Sequence, residues 1–241
     1  MARFKRGQTV SVARRITLTA VFAALAFSAI FIFRFNISFL TFDLKDAVIT
    51  LSGLLLGPTT ALSVSLLVAL LEFVVDNDTG WYGLLMNFAS SAAFSVVCAT
   101  VYKYTKKLSG AVVGLIAAVL TMVSVMLVLN LYVTPFYMGV PRHQVAEMIP
   151  TLFLPFNAVK GMVNSALVLI LYKPIRRAML AAKLMPLAYS AMPEEESPAA
   201  RRKRILVSVS VSLAGVLLLA AALAVFVLVL NGHINMGEVV K

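Results

Sequence analysis

The sequence has little charge, little acid and almost no cysteine. Only 13% of its 241 residues are charged, with 10 Asp and Glu against 21 Lys and Arg. A soluble domain carries about 25% charged and about 45–50% apolar residues. Here 61% are hydrophobic and the mean hydropathy is +0.96. An ordinary soluble domain is excluded, and so is disorder. The single cysteine, Cys98, excludes an intramolecular disulfide framework and a cysteine-rich metal site. Inside an apolar run it reads as a small buried hydrophobe. The two histidines, His143 and His233, form no pair at helical spacing for a metal. No Gly-x-x-x-x-Gly-Lys-Ser/Thr loop exists, which excludes nucleotide binding in the Walker manner. No Ser-His-Asp set falls at one membrane depth. The chain is therefore read as something other than an enzyme.

What is present is a series of long apolar runs. A helix needs about 20 apolar residues to cross a bilayer core of about 30 Å. Ile16–Phe33, Gly83–Tyr102, Gly110–Val133, Pro155–Tyr172 and Ile205–Leu230 meet that requirement. The basic start (Arg3, Lys5, Arg6, Arg14, Arg15) leads into the first run without a clear cleavage site, so that run reads as a retained transmembrane helix. Leu44–Val75 is either one long span or two helices broken at Gly57-Pro58, a turn signal.

Charge decides between these. Cytoplasmic flanks carry an excess of Lys and Arg. With the N-terminus inside, only a two-helix hairpin puts both Lys103, Lys106, Lys107 and Lys173, Arg176, Arg177 inside. The sequence thus predicts six helices up to Tyr172, with Asp46–Leu56 short for a span at about 1.5 Å per residue. Residues 184–204 read as a cytoplasmic linker with a basic cluster, Arg201-Arg202-Lys203-Arg204. Residues 205–241 read as a seventh helix and a short outer tail. Sixteen of the 21 basic residues then lie inside, so the +11 charge reports topology and not nucleic acid. Arg34, Lys45, Arg142 and Lys241 lie outside, and Lys160 is the exception within a span.

Polar residues inside membrane spans are functional candidates. Asn130 is expected about one turn before the outer end of its helix, and Asn87 early in another. Asn157 and Lys160 share a face at i, i+3, just after Pro155. The loop Phe39-Leu40-Thr41-Phe42-Asp43 precedes the hairpin on the same side. Each has a plain structural reading too. Lys160 could snorkel to the interface, Asn157 could cap a helix, and Asn87 and Asn130 could bond between helices. Thr41 and Asp43 could be ordinary loop residues. Glu72 and Asp76 read as an exposed helix end. Their convergence, with Phe39, Phe42, Phe136, Tyr137 and Phe156 nearby, describes apolar walls with a few placed polar groups. Amides and one ammonium suit a planar, mostly neutral heteroaromatic with a urea-like edge. No arginine cluster suits a phosphate.

These residues also resemble a known family. Phe39 to Asp46, then Gly57-Pro58, Gly83 to Asn87-Phe88, Leu129-Asn130 through Pro135-Phe136-Tyr137, and Pro155-Phe156-Asn157-Ala158-Val159-Lys160-Gly161 together resemble riboflavin-specific S components. These are the substrate-binding membrane subunits of energy-coupling factor (ECF) vitamin transporters. The resemblance spans most of residues 1–183. It implies an all-α fold, a six-helix S-component bundle, to which the sequence adds one C-terminal transmembrane helix. It implies a riboflavin pocket near the outer surface, with Asn130, Asn157 and Lys160 on the polar atoms of the ring. Leu40, Thr41, Phe42 and Asp43 would cover it, with Asn87, Tyr137 and Phe156 completing the set. It implies no cofactor, and as partners a transmembrane coupling protein and two cytoplasmic ATPases. Ala20 and Ala24, spaced small-xxx-small on the first helix, would dock on the coupling protein. Leu84 departs from the pattern, standing where many relatives are more polar. Another vitamin or a flavin analogue is the nearest alternative cargo. A membrane enzyme or a purely structural membrane protein is more distant.

Overall fold

A computed structural model describes residues 12–75, 79–105 and 108–185. The linker beyond 185 and the seventh helix expected at 205–230 lie outside the described residues, as does Asp76. Helix α1 runs over Val12–Ile32 and leads into two short antiparallel strands, β1 (Phe35–Ile37) and β2 (Leu40–Phe42). Helices α2 (Lys45–Leu56), α3 (Pro58–Val75), α4 (Gly80–Thr105) and α5 (Leu108–Met138) follow. Helix α6 (Arg142–Met148) then passes through a π-helical turn, Ile149–Phe153, into α7 (Leu154–Ala181). Five of these helical runs are long and apolar enough to cross a membrane; α2, with 12 residues, is the exception.

The break at Gly57-Pro58 falls where the sequence placed it. Gly57 takes φ 110°, a region that only glycine enters freely. Its N–H and the N–H groups of Thr60 and Ala61 close the turn, and Pro58 opens α3. Helix α2 begins after a two-residue link from β2 and stops at the Gly57 turn. Arg14 donates a hydrogen bond to the Lys183 carbonyl, and Arg15 donates one to Thr59 beside the α2–α3 turn. Both ends of the described bundle therefore lie on one side, opposite the hairpin.

Small residues set the helix spacing. A Cβ added at Gly53 would meet the Ala99 and Ala61 methyls at 2.7 and 2.8 Å, so α2, α3 and α4 touch there. Gly114 lets α5 approach the Cys98 backbone of α4, and a Cβ there would lie 2.9 Å from its carbonyl oxygen. Cys98 is fully buried, as its apolar setting predicts.

Three expectations need correction. Within the all-α bundle, the segment read as a loop is half of a short β-hairpin. Phe35 pairs with Phe42 across it, and their rings stack at 4.7 Å. Its two-residue turn puts Ser38 at φ 55°, where primed turns usually place glycine. Next, α5 does not stop at Val133. It continues through Pro135 to Met138, which puts Asn130 two turns from its end. Finally, Pro155 does stand in the first turn of α7, as expected, but α7 is not preceded by a loop. The π-helical turn, which contains Pro150, carries the chain unbroken from α6 into α7.

Candidate functional site

The polar residues of the hairpin end converge on Asp43, where β2 passes into α2. Its side chain is 2% exposed. Lys160 of α7 donates to Asp43 Oδ2 at 3.0 Å, and Lys45 Nζ lies 3.5 Å from the same oxygen. The Lys45 backbone N–H donates to Asp43 Oδ1 at 3.2 Å. Burial by itself would raise the Asp43 carboxyl. The Lys160 and Lys45 ammonium groups outweigh it and hold the carboxyl below its ordinary value.

The network extends in two directions. Lys45 donates to both oxygens of Glu72 on α3, each at 2.7 Å. Asn164, one turn after Lys160, accepts from the Ala47 N–H at 2.8 Å and donates to the Asp43 and Lys160 carbonyls. Asp46 accepts from Ser91 of α4 at 2.5 Å. Its Oδ2 is buried and has no hydrogen-bond partner among the described residues. Thr50 and Ser95 meet at 2.9 Å one turn deeper. A buried charge is tolerated only when paired and bonded, so these contacts fix the start of α2 against α3, α4 and α7.

Lys160 therefore does not snorkel to an interface. Its ammonium is drawn under the hairpin to Asp43, with the Thr41 carbonyl at 3.5 Å. Nor is Asn157 a helix cap. It lies inside the continuous run, 2% exposed, and its amide donates to the Phe153 carbonyl at 2.8 Å. Around it the hairpin packs on α7. The Phe42 and Phe156 rings meet edge to face at 6.2 Å, and Leu40 packs beside them. Phe39 meets Phe153 at 5.9 Å. Thr41 pairs with Asn36 across the strands and donates to its side-chain oxygen at 3.1 Å.

A second group sits on α5. Asn130 is fully buried, donates to the Met126 carbonyl at 2.7 Å, and accepts from Thr134 at 3.0 Å. The Thr134 hydroxyl also meets Tyr137 Oη at 3.2 Å. Asn130 and Tyr137 are thus joined through Thr134, and the Tyr82 ring at the start of α4 lies 6.2 Å from that of Tyr137. Asn87 is half-buried on α4, with no side-chain hydrogen bond to another described residue. Ala20 and Ala24 lie on the exposed face of α1, away from the bundle.

Two corrections concern charge. Glu72, read as an exposed helix end, is 9% exposed and bonded to Lys45. Lys45, read as an outer topology charge, is 1% exposed. The sequence reading also missed Asp46, Ser91, Thr134 and Asn164 as partners. One signal was available: Asn157, Lys160 and Asn164 fall at i, i+3, i+7 and draw a polar stripe down one face of an apolar helix.

This architecture defines a membrane-embedded helical bundle with a hairpin over a buried polar centre and no assembled nucleophile–base set among the described residues. The chain belongs to the family of ECF transporter substrate-specific components, whose model matches residues 14–172. It is 28% identical over 170 residues to the riboflavin transporter RibU of Staphylococcus aureus (strain TCH60), covering 66% of this chain and 89% of that protein. It is also similar to a solved structure of the S component of a bacterial ECF transporter. That match has a TM-score of 0.60 and 28% identity, and covers 70% of this chain and 99% of that one. Membership makes the chain a multi-pass plasma-membrane protein of a transport system, not an enzyme, and implies association with an energy-coupling module.

Proposed function

We propose that the chain captures riboflavin at the outer face of the plasma membrane and delivers it inward as the substrate-binding subunit of an ECF transporter. The observation that carries this reading is Lys160. Its ammonium has three donors; one meets Asp43 at 3.0 Å and another faces the Thr41 carbonyl at a weak 3.5 Å. Donor capacity thus remains for a ligand carbonyl, and the ammonium is already held in place. Asn157 sits one turn away with its amide oxygen uncommitted among the described residues. An amide acceptor beside an ammonium donor complements the imide edge of an isoalloxazine, which presents both a carbonyl and an N–H.

The remaining residues frame that edge. Phe42 and Phe156 offer aromatic faces for the ring, with Leu40 and Thr41 on the hairpin above. Asp43 fixes Lys160. Asn130, Tyr137 and Asn87, from α5 and α4, line the opposite wall. The named relative, a riboflavin transporter, supports the choice of cargo.

Among the described residues, Arg14, Arg15, Lys103, Lys173, Arg176 and Arg177 all lie at the end opposite the hairpin. The positive-inside rule puts that end in the cytoplasm and the hairpin outside. The start of α1 is then on the cytoplasmic side. The binding domain is assigned to residues 1–183; the expected linker at 184–204 and helix at 205–241 lie almost wholly outside the described residues. The ECF partners are a transmembrane coupling protein and two cytoplasmic ATPases. Ala20 and Ala24 supply the close-approach face for the coupling protein, and ATP hydrolysed in the ATPases drives reorientation.

Titration of the purified chain with riboflavin, against thiamine and FMN, tests the reading. Flavin fluorescence should be quenched by riboflavin binding, with neither control competing. Lys160→Ala and Asn157→Ala should each weaken binding by about 1–3 kcal/mol, the scale of a buried polar partner left unpaired. A chain without riboflavin affinity overturns the cargo. Unchanged affinity in both variants places the pocket elsewhere.

A further inference from the structure

The two buried lysines of the hairpin end are not equivalent. Lys45 directs two of its three donors to Glu72, at 2.7 Å each, and the third approaches Asp43 at 3.5 Å. It has nothing left for a ligand. Lys160 has Asp43 at 3.0 Å as its main partner. A single carboxylate oxygen, Asp43 Oδ2, thus faces two ammonium groups, and Lys160 is the closer. Lys45 lies closer to Glu72, at 2.7 Å, than to Asp43, at 3.5 Å.

We propose that Glu72 is a positioning residue of the pocket: by holding both near donors of Lys45 it reserves the Asp43 carboxylate for Lys160. The inference rests on the riboflavin reading above and extends it to a residue on α3. Without the Glu72 charge, the nearest anion left to the Lys45 ammonium among the described residues is Asp43, at 3.5 Å, with Asp46 beyond ion-pair distance, and Lys45 competes there with Lys160. In a site sheltered from water the competition is not screened away. Lys160 then loses the partner that fixes it. The converse change acts differently. Without the Lys45 ammonium, nothing competes with Lys160 at 3.0 Å from Asp43, and Asp43 keeps Lys160.

A purely structural ion pair gives another pattern. Removing either partner then lowers stability, and affinity falls only in step with it. The proposal predicts that affinity and stability part company, so the test measures both on the full chain in detergent. Glu72→Gln should weaken riboflavin binding about tenfold. Lys45→Met should lower the melting temperature about as much as Glu72→Gln does and cost much less affinity. In the double variant Lys45→Met with Glu72→Met, the competing ammonium is gone, and affinity should return from the Glu72→Gln level to within about threefold of wild type.

Equal affinity losses in the two single variants, or no recovery in the double, overturn the role of Glu72. If Glu72→Gln does not fold, the double variant alone decides: a tenfold loss there overturns the proposal. Absence of riboflavin binding in the wild-type chain overturns the cargo reading and this inference with it. Wild-type binding that Lys160→Ala abolishes and Glu72→Gln leaves intact overturns this inference alone.

Discussion

The two ends of the bundle use the same residue types for opposite purposes. At the end opposite the hairpin, Arg15, Lys103 and Arg177 lie exposed, and the interior between helices is closed by small residues. Gly53 meets Ala61 and Ala99, and Gly114 meets Cys98. At the hairpin end the charges turn inward. Lys45, Lys160, Asp43, Asp46 and Glu72 are buried and bonded to one another or to Ser91 and Asn164. A lysine at one end reports which side of the membrane it occupies. A lysine at the other end is part of a device. Apolar packing at the first end is non-directional and tolerates similar shapes, whereas the second end depends on particular donors and acceptors. Binding is expected to be sensitive at the hairpin end, and stability at both.

The largest expected effect would break the hairpin end. Asp43→Ala removes the anion that faces two ammonium groups. Lys45 keeps Glu72, but among the described residues Lys160 keeps as a hydrogen-bond partner only the Thr41 carbonyl at 3.5 Å. Breaking a buried pair from one side costs about 3–5 kcal/mol, because a charge is left without compensation. Unfolding in detergent should show that loss, and riboflavin affinity should fall more than in the Glu72→Gln variant. A stable variant with wild-type affinity would show that Asp43 is an ordinary loop residue.

Next comes the small-residue seam. Gly53→Ala puts a methyl 2.7 Å from the Ala99 methyl and 2.8 Å from that of Ala61. Neither neighbour has a flexible end that could swing aside, so whole helices must separate. Overpacking of this kind costs about 1–3 kcal/mol. Affinity of the folded fraction should stay at the wild-type value, since Gly53 lies two turns from Lys45 along α2. A selective loss of affinity would mean that the two ends are coupled through α2, and the comparison would fail.

The contrast also explains what could be read from the sequence. The six helical runs up to Tyr172, the turn at Gly57-Pro58 and the buried state of Cys98 follow from apolar length, the inside excess of Lys and Arg, a Gly-Pro pair and an apolar neighbourhood. Asn157 and Lys160 were legible because i, i+3 spacing puts them on one face of an apolar helix. The hairpin was not, since its turn lacks the glycine that normally marks one and uses Ser38 at positive φ. The continuity of α6 into α7 was not legible, because Pro155 reads as a helix start and Pro150 stands just before it. A π-helical turn takes in Pro150 without breaking the helix. Glu72 was misread because its partner is 27 residues earlier, across the α2–α3 turn. An isolated acid near a helix end looks the same in sequence whether it faces water or a buried lysine.

The smallest effect sharpens the comparison most cleanly. Tyr102 of α4 and Tyr172 of α7 are buried at the end opposite the hairpin, and their hydroxyls bond to each other. Tyr102→Phe keeps the ring and its edge-to-face contact, with centroids 5.8 Å apart, and removes only the hydroxyl. The remaining Tyr172 hydroxyl loses its partner, at a cost of about 1 kcal/mol. Adding Tyr172→Phe takes away the orphaned group, so the double variant should be no less stable than the single one. Riboflavin affinity should be the same in all three proteins. At the hairpin end, by contrast, the corresponding pair of Glu72→Gln and the Lys45→Met, Glu72→Met double variant should separate in affinity. A polar contact between helices and a polar contact that sets a ligand's partner are thus told apart by where the double variant recovers. In the first case it recovers stability, and in the second it recovers binding.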